Sequence, residues 1–152
     1  MYHICTPQCQ IQISGGKTLN QSVNLIGSPQ FTGQFATAIL RTVRCSYENC
    51  CARLHQGRAT AASAAELRRS RYSAFVMDDT KYLLASWHSS TRPAALGPLA
   101  AGIRWLGLSV RSVSEVGDQA EVEFVARHRV DGRASRHHER SRFVREDGIW
   151  YY

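Results

Sequence analysis

"VEFVARHRVDGRASRHHERSRFVREDGIWYY", residues 122–152, alternates apolar and polar positions around two Asp-Gly dipeptides, Asp131-Gly132 and Asp147-Gly148. Alternation is the period of a half-buried strand. Asp-Gly between two such runs is a strong hairpin signal, because the central residues of the favoured two-residue turn need positive φ. A third turn signal, Gly117-Asp118, precedes them, so the three turns predict four strands near 103–114, 120–130, 133–145 and 149–152.

A two-residue turn also sets the register. With Val130 facing Arg133, Phe124 lies opposite Glu139, Val122 opposite Ser141 and Ala126 opposite His137. The next turn brings Trp150 opposite Arg145 and Tyr152 opposite Phe143, on that same face. The other face sets Glu123 against Arg140 and Glu121 against Arg142, opposite charges directly across the ladder. For Leu106, Leu108 and Val110 to join the apolar face, the Gly117 turn needs an odd-length or bulged loop. A one-residue slip would expose all three.

Upstream of the strands the period is helical. "SAAE", Ser63 to Glu66, has the form of a capping box, and a helix is expected from there to about Met77. Leu67, Ala74 and Phe75 form its apolar stripe, with Tyr72 and Val76 beside it. Asp78 or Asp79 then caps a second, short helix in "TKYLLASWH", which offers Tyr82, Leu83 and Trp87 to a core. Pro93 and Pro98 bracket a loop. Helices followed by an antiparallel meander make an α+β fold with the helices laid on one sheet face.

On that inner face Glu139 stands out. A buried carboxylate is costly unless it is paired or protonated, and Arg71, His88 and the hydroxyls of Tyr72 and Tyr82 are its candidate partners. Either Glu139 locks helix to sheet, or it lines a pocket together with Arg71, Tyr72, Tyr82, Trp87, His88, Phe124, Ser141 and Trp150. His137 and His138, adjacent on a strand, point to opposite faces and cannot chelate one ion together.

The 152 residues are 43% hydrophobic and 20% charged, ordinary material for one globular domain. No run approaches the roughly 20 apolar residues of a membrane span, and the start lacks the pattern of a signal peptide, so a cytoplasmic protein is expected. The net charge is +7, almost all from arginine, Lys17 and Lys81 being the only lysines. The arginines are interleaved with Glu and Asp along the chain, and nucleic acid is not the expected partner. No nucleophile elbow or phosphate-binding glycine loop is present; "ISGGK" at 13–17 lacks the spacing.

Residues 1–44 differ from the rest. They are rich in Gln, Ser, Thr, Asn and Gly, contain no Asp or Glu, and read as a divergent, weakly ordered extension. Of five cysteines, Cys45, Cys50 and Cys51 crowd into "CSYENCC", a clustering that in a reducing compartment points to metal or redox chemistry.

"AAELRRSRYSAFVMDDTKYLLASWHSSTRP" (64–93) together with residues 122–152 closely resembles the bacterial YchJ family of uncharacterised proteins. The resemblance runs from about Tyr47 onward and implies a nuclear transport factor 2-like cone, with helices packed on a curved antiparallel sheet around a pocket. It also implies a short zinc motif of the SecA C-terminal type: a Cys-x-Cys pair, a Tyr-containing spacer, then adjacent cysteines. Cys50 and Cys51 correspond to that second pair, but "LRTVRC" stands where the first should be. A closed zinc site takes four ligands. Cys45, Cys50 and Cys51 supply three at most, so 45–57 reads as the remnant of a zinc knuckle, with Cys5 and Cys9 as distant substitutes.

Three units are therefore expected: the extension 1–44, the knuckle remnant 45–57 and the cone 58–152. The function expected is a non-catalytic binding or adaptor module, which would contact a protein partner through its cysteine-rich segment. The alternative is a small-molecule or enzymatic pocket inside the cone, using Glu139, His88 and Arg71. A Glu139–His88 pair within hydrogen-bond reach would favour the enzyme, and an Arg71–Glu139 ion pair the scaffold.

Overall fold

A computed structural model of the protein describes residues 47–97 and 102–152. Three helices, α1 (Ala52–His55), α2 (Ala64–Met77) and α3 (Thr80–Ala85), precede four strands: β1 (Arg104–Val116), β2 (Gln119–Val130), β3 (Arg133–Glu146) and β4 (Ile149–Tyr151). The strands form one antiparallel meander in the order β1-β2-β3-β4. The fold is α+β, as expected. The extension 1–44, Cys45 and Pro98 lie outside the described residues.

The turns carry the chemistry read from them. Asp131 and Gly132 sit at φ 47° and 80°, and Asp147 and Gly148 at φ 49° and 79°, so both dipeptides make turns with two left-handed residues. Gly117 alone is left-handed at the first turn, where the mirror-image type II turn needs glycine in the first central position. Phe124 lies opposite Glu139, Val122 opposite Ser141, Ala126 opposite His137 and Trp150 opposite Arg145, which is the expected register.

The first strand reaches the inner face differently. Its turn is tight, with Val116 opposite Gln119, and the irregularities lie inside the strand, between Trp105 and Gly107 and between Val110 and Ser112. The inner bulge keeps Leu108 opposite Ala126 and Val110 opposite Phe124. The outer one turns Leu106 outward, where it is 40% exposed, and Trp105 packs inside instead. Bulges bend and twist a strand locally, which curls this edge of the sheet toward α2.

Ser63 caps α2, its hydroxyl accepting from Glu66 N at 3.2 Å. The Glu66 carboxylate does not reach back to Ser63. It accepts from Ala62 N at 2.6 Å and pairs with Arg53, tying α1 to the start of α2. Glu115 on β1 accepts from Ala64 N at 3.1 Å, a further cap on that helix. Asp78, left-handed at φ 55°, ends α2, and Asp79 starts α3 by accepting from Tyr82 N. After α3 the chain joins the end of the sheet: His88 N donates to Tyr152 O at 2.7 Å and Tyr152 N to Ser86 O at 3.0 Å.

The main core joins Leu54, Leu67, Val122, Phe143 and Trp150. A second cluster, Tyr72, Phe124 and Ala126, lies deeper in the cone. The buried face of α2 includes Leu67, Tyr72 and Ala74 of the expected stripe but differs at its edges. Phe75 and Val76 are half-buried, whereas Arg68 and Arg71 are buried alongside Leu67 and Tyr72.

Replacing Gly132 by valine tests the turn, because a Cβ there would meet no atom within 4 Å and only the backbone conformation at φ +80° would resist. We expect a loss of about 1–2 kcal/mol in urea unfolding, and a change within about 0.5 kcal/mol for Asp131→Asn, since Asn tolerates the left-handed region. An unchanged G132V would mean that the turn does not hold the register.

Candidate functional site

Helix α2 and the inner face of the first three strands enclose a cavity of about 170 Å³. Its walls are aromatic, with Tyr72, Phe75, Trp87, Trp105, Phe124 and Tyr152 around it. Its polar groups are Arg68 and Arg71 from α2, one turn apart, and His137, Glu139 and Ser141, successive inward positions on β3. Six of the residues read from the sequence as a pocket thus surround one cavity: Arg71, Tyr72, Trp87, Phe124, Glu139 and Ser141.

The other three lie elsewhere. Tyr82 and Trp150 line a more open recess under α1, and Trp150 belongs to the main core. The Tyr82 hydroxyl bonds to Ser70 Oγ at 2.7 Å. His88 stands at a third recess near the Gly117 turn, its Nε2 donating to Glu146 at 2.9 Å and its Nδ1 meeting Ser90 Oγ at 2.7 Å. Tyr152 O takes the His88 backbone N–H, which draws that residue to the edge of the sheet and away from Glu139.

Glu139 finds partners other than those named for it. Ser141 Oγ donates to Oε1, Tyr152 OH donates to the same oxygen at 3.3 Å, and His137 Nε2 donates to Oε2 at 2.6 Å. Burial pushes this carboxyl up, but the bonds from Ser141 and His137 and the nearby charge of Arg68 outweigh it and hold the group below its ordinary value. Neither a Glu139–His88 pair nor an Arg71–Glu139 pair forms.

Arg71 spends its guanidinium on the end of α3, donating to Leu83 O and Ser86 Oγ, each at 2.7 Å. The same group lies 4.4 Å from the Tyr152 ring centre and 5.1 Å from that of Trp87. It joins α2, α3 and the chain end in one contact. Arg68 does not appear in the sequence reading. Its guanidinium lies 3.5 Å over the Phe124 ring, and burial pushes its pKa down to about 10, leaving it charged at neutral pH. A signal for it existed, since Arg68 and Arg71 share the helical stripe of Ala64, Leu67 and Tyr72.

The outer face of the sheet divides by charge. Near the Gly117 turn, Arg140 pairs with Glu121 and Glu123, and His138 with Glu123. Near the Asp131 turn, Arg127 faces Arg136 and Arg104 faces Arg129, like charges across the ladder. The interleaving of charge along the chain does not carry over to this face. His137 and His138 sit on opposite faces, each bonded to a glutamate.

In the knuckle remnant, the Cys50 and Cys51 sulfurs are 3.7 Å apart and both residues are buried. That spacing matches the roughly 3.8 Å edge of a tetrahedron with Zn–S bonds of about 2.3 Å. The rest does not fit a closed zinc site. Cys50 is disulfide-bonded, burial raises the Cys51 thiol pKa against a bond from Ser73, and His55 spends its ring nitrogens on Tyr47 and Ser70. Among the described residues no group of three metal-ligating side chains converges.

Residues 63–152 match the family described as YchJ, middle NTF2-like domain. The chain is 60% identical over 111 residues to a UPF0225 protein of Methylibium petroleiphilum, covering 72% of this chain and 81% of that protein. It is 52% identical over 110 residues to one of Bordetella pertussis, covering 70% and 83%. Among solved structures it is similar to a SEC-C motif containing protein from Rhodopseudomonas palustris, with 33% identity and a TM-score of 0.63 over 70% of this chain and 87% of that one. A second, from Psychrobacter arcticus, has 25% identity and a TM-score of 0.60 over 99% and 81%. No helix among the described residues is long and apolar enough to cross a membrane.

Two measurements follow from this geometry. A carboxyl whose folded pKa is depressed stabilises the fold above its unfolded value, near 4.3, and that contribution disappears as pH falls through the lower folded value. The stability gap between the wild type and Glu139→Gln should therefore be constant above about pH 5 and close toward pH 3. A gap that widens in acid would contradict the network. Elemental mass spectrometry of natively purified chain should give a zinc-to-protein ratio near zero; a ratio near one would require ligands from outside the described residues.

Proposed function

Because the chain belongs to the YchJ family, with its NTF2-like domain at residues 63–152, we propose that it is a non-catalytic binding module whose site is the cavity inside that domain. The observation that carries this reading is the state of Glu139, the one carboxylate among the described residues lining the cavity. Three side chains donate to it and hold it ionised, so at neutral pH it is a weak base committed to structure. A polar group fixed in advance on rigid strands, facing aromatic walls, suits recognition more than proton transfer.

The size of the cavity limits the ligand. An apolar cavity of about 150 Å³ accepts benzene. This one, at about 170 Å³, suits a molecule of roughly nine heavy atoms or fewer. Such a ligand would bind at about 1 mM or somewhat tighter.

Ligand-observed NMR with a library of small aromatic and aliphatic fragments tests this. Hits should be recovered chemically unchanged and should be lost in Ala126→Leu, which fills the cavity from its buried β2 wall. Hits that persist in a folded A126L would place binding outside the cone and contradict the proposal.

A further inference from the structure

We propose that the cavity is a receptor for a small monocarboxylate, which seats its two oxygens on the Arg68 guanidinium and lays an apolar body against the aromatic walls. The inference rests on the reading of the cavity as the binding site and adds the class of ligand.

Arg68 carries the argument. The residue is 8% exposed, and its guanidinium makes no hydrogen bond or ion pair with the described residues; its Nε is buried without a partner. A buried guanidinium is costly unless an acceptor meets it. Stacking over Phe124 satisfies the face of the cation but none of its N–H groups. The acceptors nearby are already engaged. Glu139 holds three donors of its own. Arg71 adds a second positive charge beside Arg68, and its Nη1 is already committed to Leu83 O and Ser86 Oγ. Two guanidinium charges against one carboxylate leave the cavity one positive charge in excess, which a single anion neutralises.

A further polar atom on the cavity's wall residues points to the same chemistry. Trp105 Nε1 is buried with no hydrogen-bond partner among the described residues, and an indole can only donate. Unpaired donors on Arg68 and Trp105 call for acceptor atoms, and a carboxylate offers two oxygens in the plane that a guanidinium matches with paired N–H groups. The volume leaves room for a body of about six carbons, comparable to a benzene ring.

The probes are sodium benzoate, its neutral counterpart benzamide and sodium formate, titrated into the full chain by NMR or calorimetry at constant ionic strength. Benzoate should bind at least tenfold tighter than benzamide and tenfold tighter than formate. Arg68→Met should remove the preference over benzamide, and Ala126→Leu should weaken benzoate at least tenfold. Equal binding of benzoate and benzamide would overturn the anion inference and leave the cavity as a site for neutral ligands. Formate binding as well as benzoate would overturn the apolar half of the ligand class. No binding of any probe would overturn both this inference and the reading beneath it. Should Arg68→Met fail to fold, the benzoate–benzamide ratio in the wild type decides the question alone.

Discussion

The two-residue turn at Asp131-Gly132 is the constraint on which the remaining geometry depends. Both residues adopt left-handed conformations, so β2 and β3 leave the turn already paired, Val130 against Arg133. From there each pair is determined along the whole ladder. Glu139, Ser141 and Phe143 come to face the helices with Val122 and Phe124, while Glu123 and Arg140 face outward. A slip of one residue would exchange these sets, exposing Phe124 and Phe143 and burying a row of glutamates and arginines. The apolar cost of such a slip is several buried side chains at about 2 kcal/mol each, so the turn and the core enforce the same register.

Given that register, the cone has to accommodate polar groups within its inner face. It does so in two layers. Near α1 and the Gly117 turn the face is apolar, with Val122, Phe143 and Trp150 against Leu54 and Leu67. Beyond it, α2 presents Arg68 and Arg71 to Glu139 and Ser141 across the cavity. Arg71 is bonded through Nη1 to the end of α3 and stacks on Trp87 and Tyr152, so it serves as a structural joint. Arg68, three residues earlier on the same face, has the ring of Phe124 and no hydrogen bond among the described residues. The contrast between these two arginines distinguishes a joint from a receptor group.

Most of the fold is legible in the sequence. Period-two alternation and three turn dipeptides mark the four strands, and the Ser63 cap and paired aspartates mark α2 and α3. The bulges were not placed by the same logic, although Gly107, adjacent to Leu106, is the kind of strand glycine that signals one. Side-chain partners were less legible, because they depend on curvature. Which of His88, Arg71 and His137 reaches Glu139 is decided by how far the sheet bends and where β4 ends. A bond from the His88 backbone to Tyr152 O carries that imidazole to Glu146 instead. Arg68 is hidden in the sequence for another reason: an arginine on an amphipathic stripe is ordinarily a stem with its charge in water. Only burial of the whole side chain reveals otherwise.

Arg68 has a charged, buried guanidinium with no acceptor among the described residues. Its Nε–H resonance in the full chain, observed by NMR without and with benzoate, tests this most directly. The ligand-free resonance should lack the downfield position of a charge-assisted hydrogen bond, and should move downfield and exchange more slowly as benzoate is added. A ligand-free Nε–H that is already downfield, slow to exchange and unmoved by benzoate would show a protein acceptor in place and contradict it.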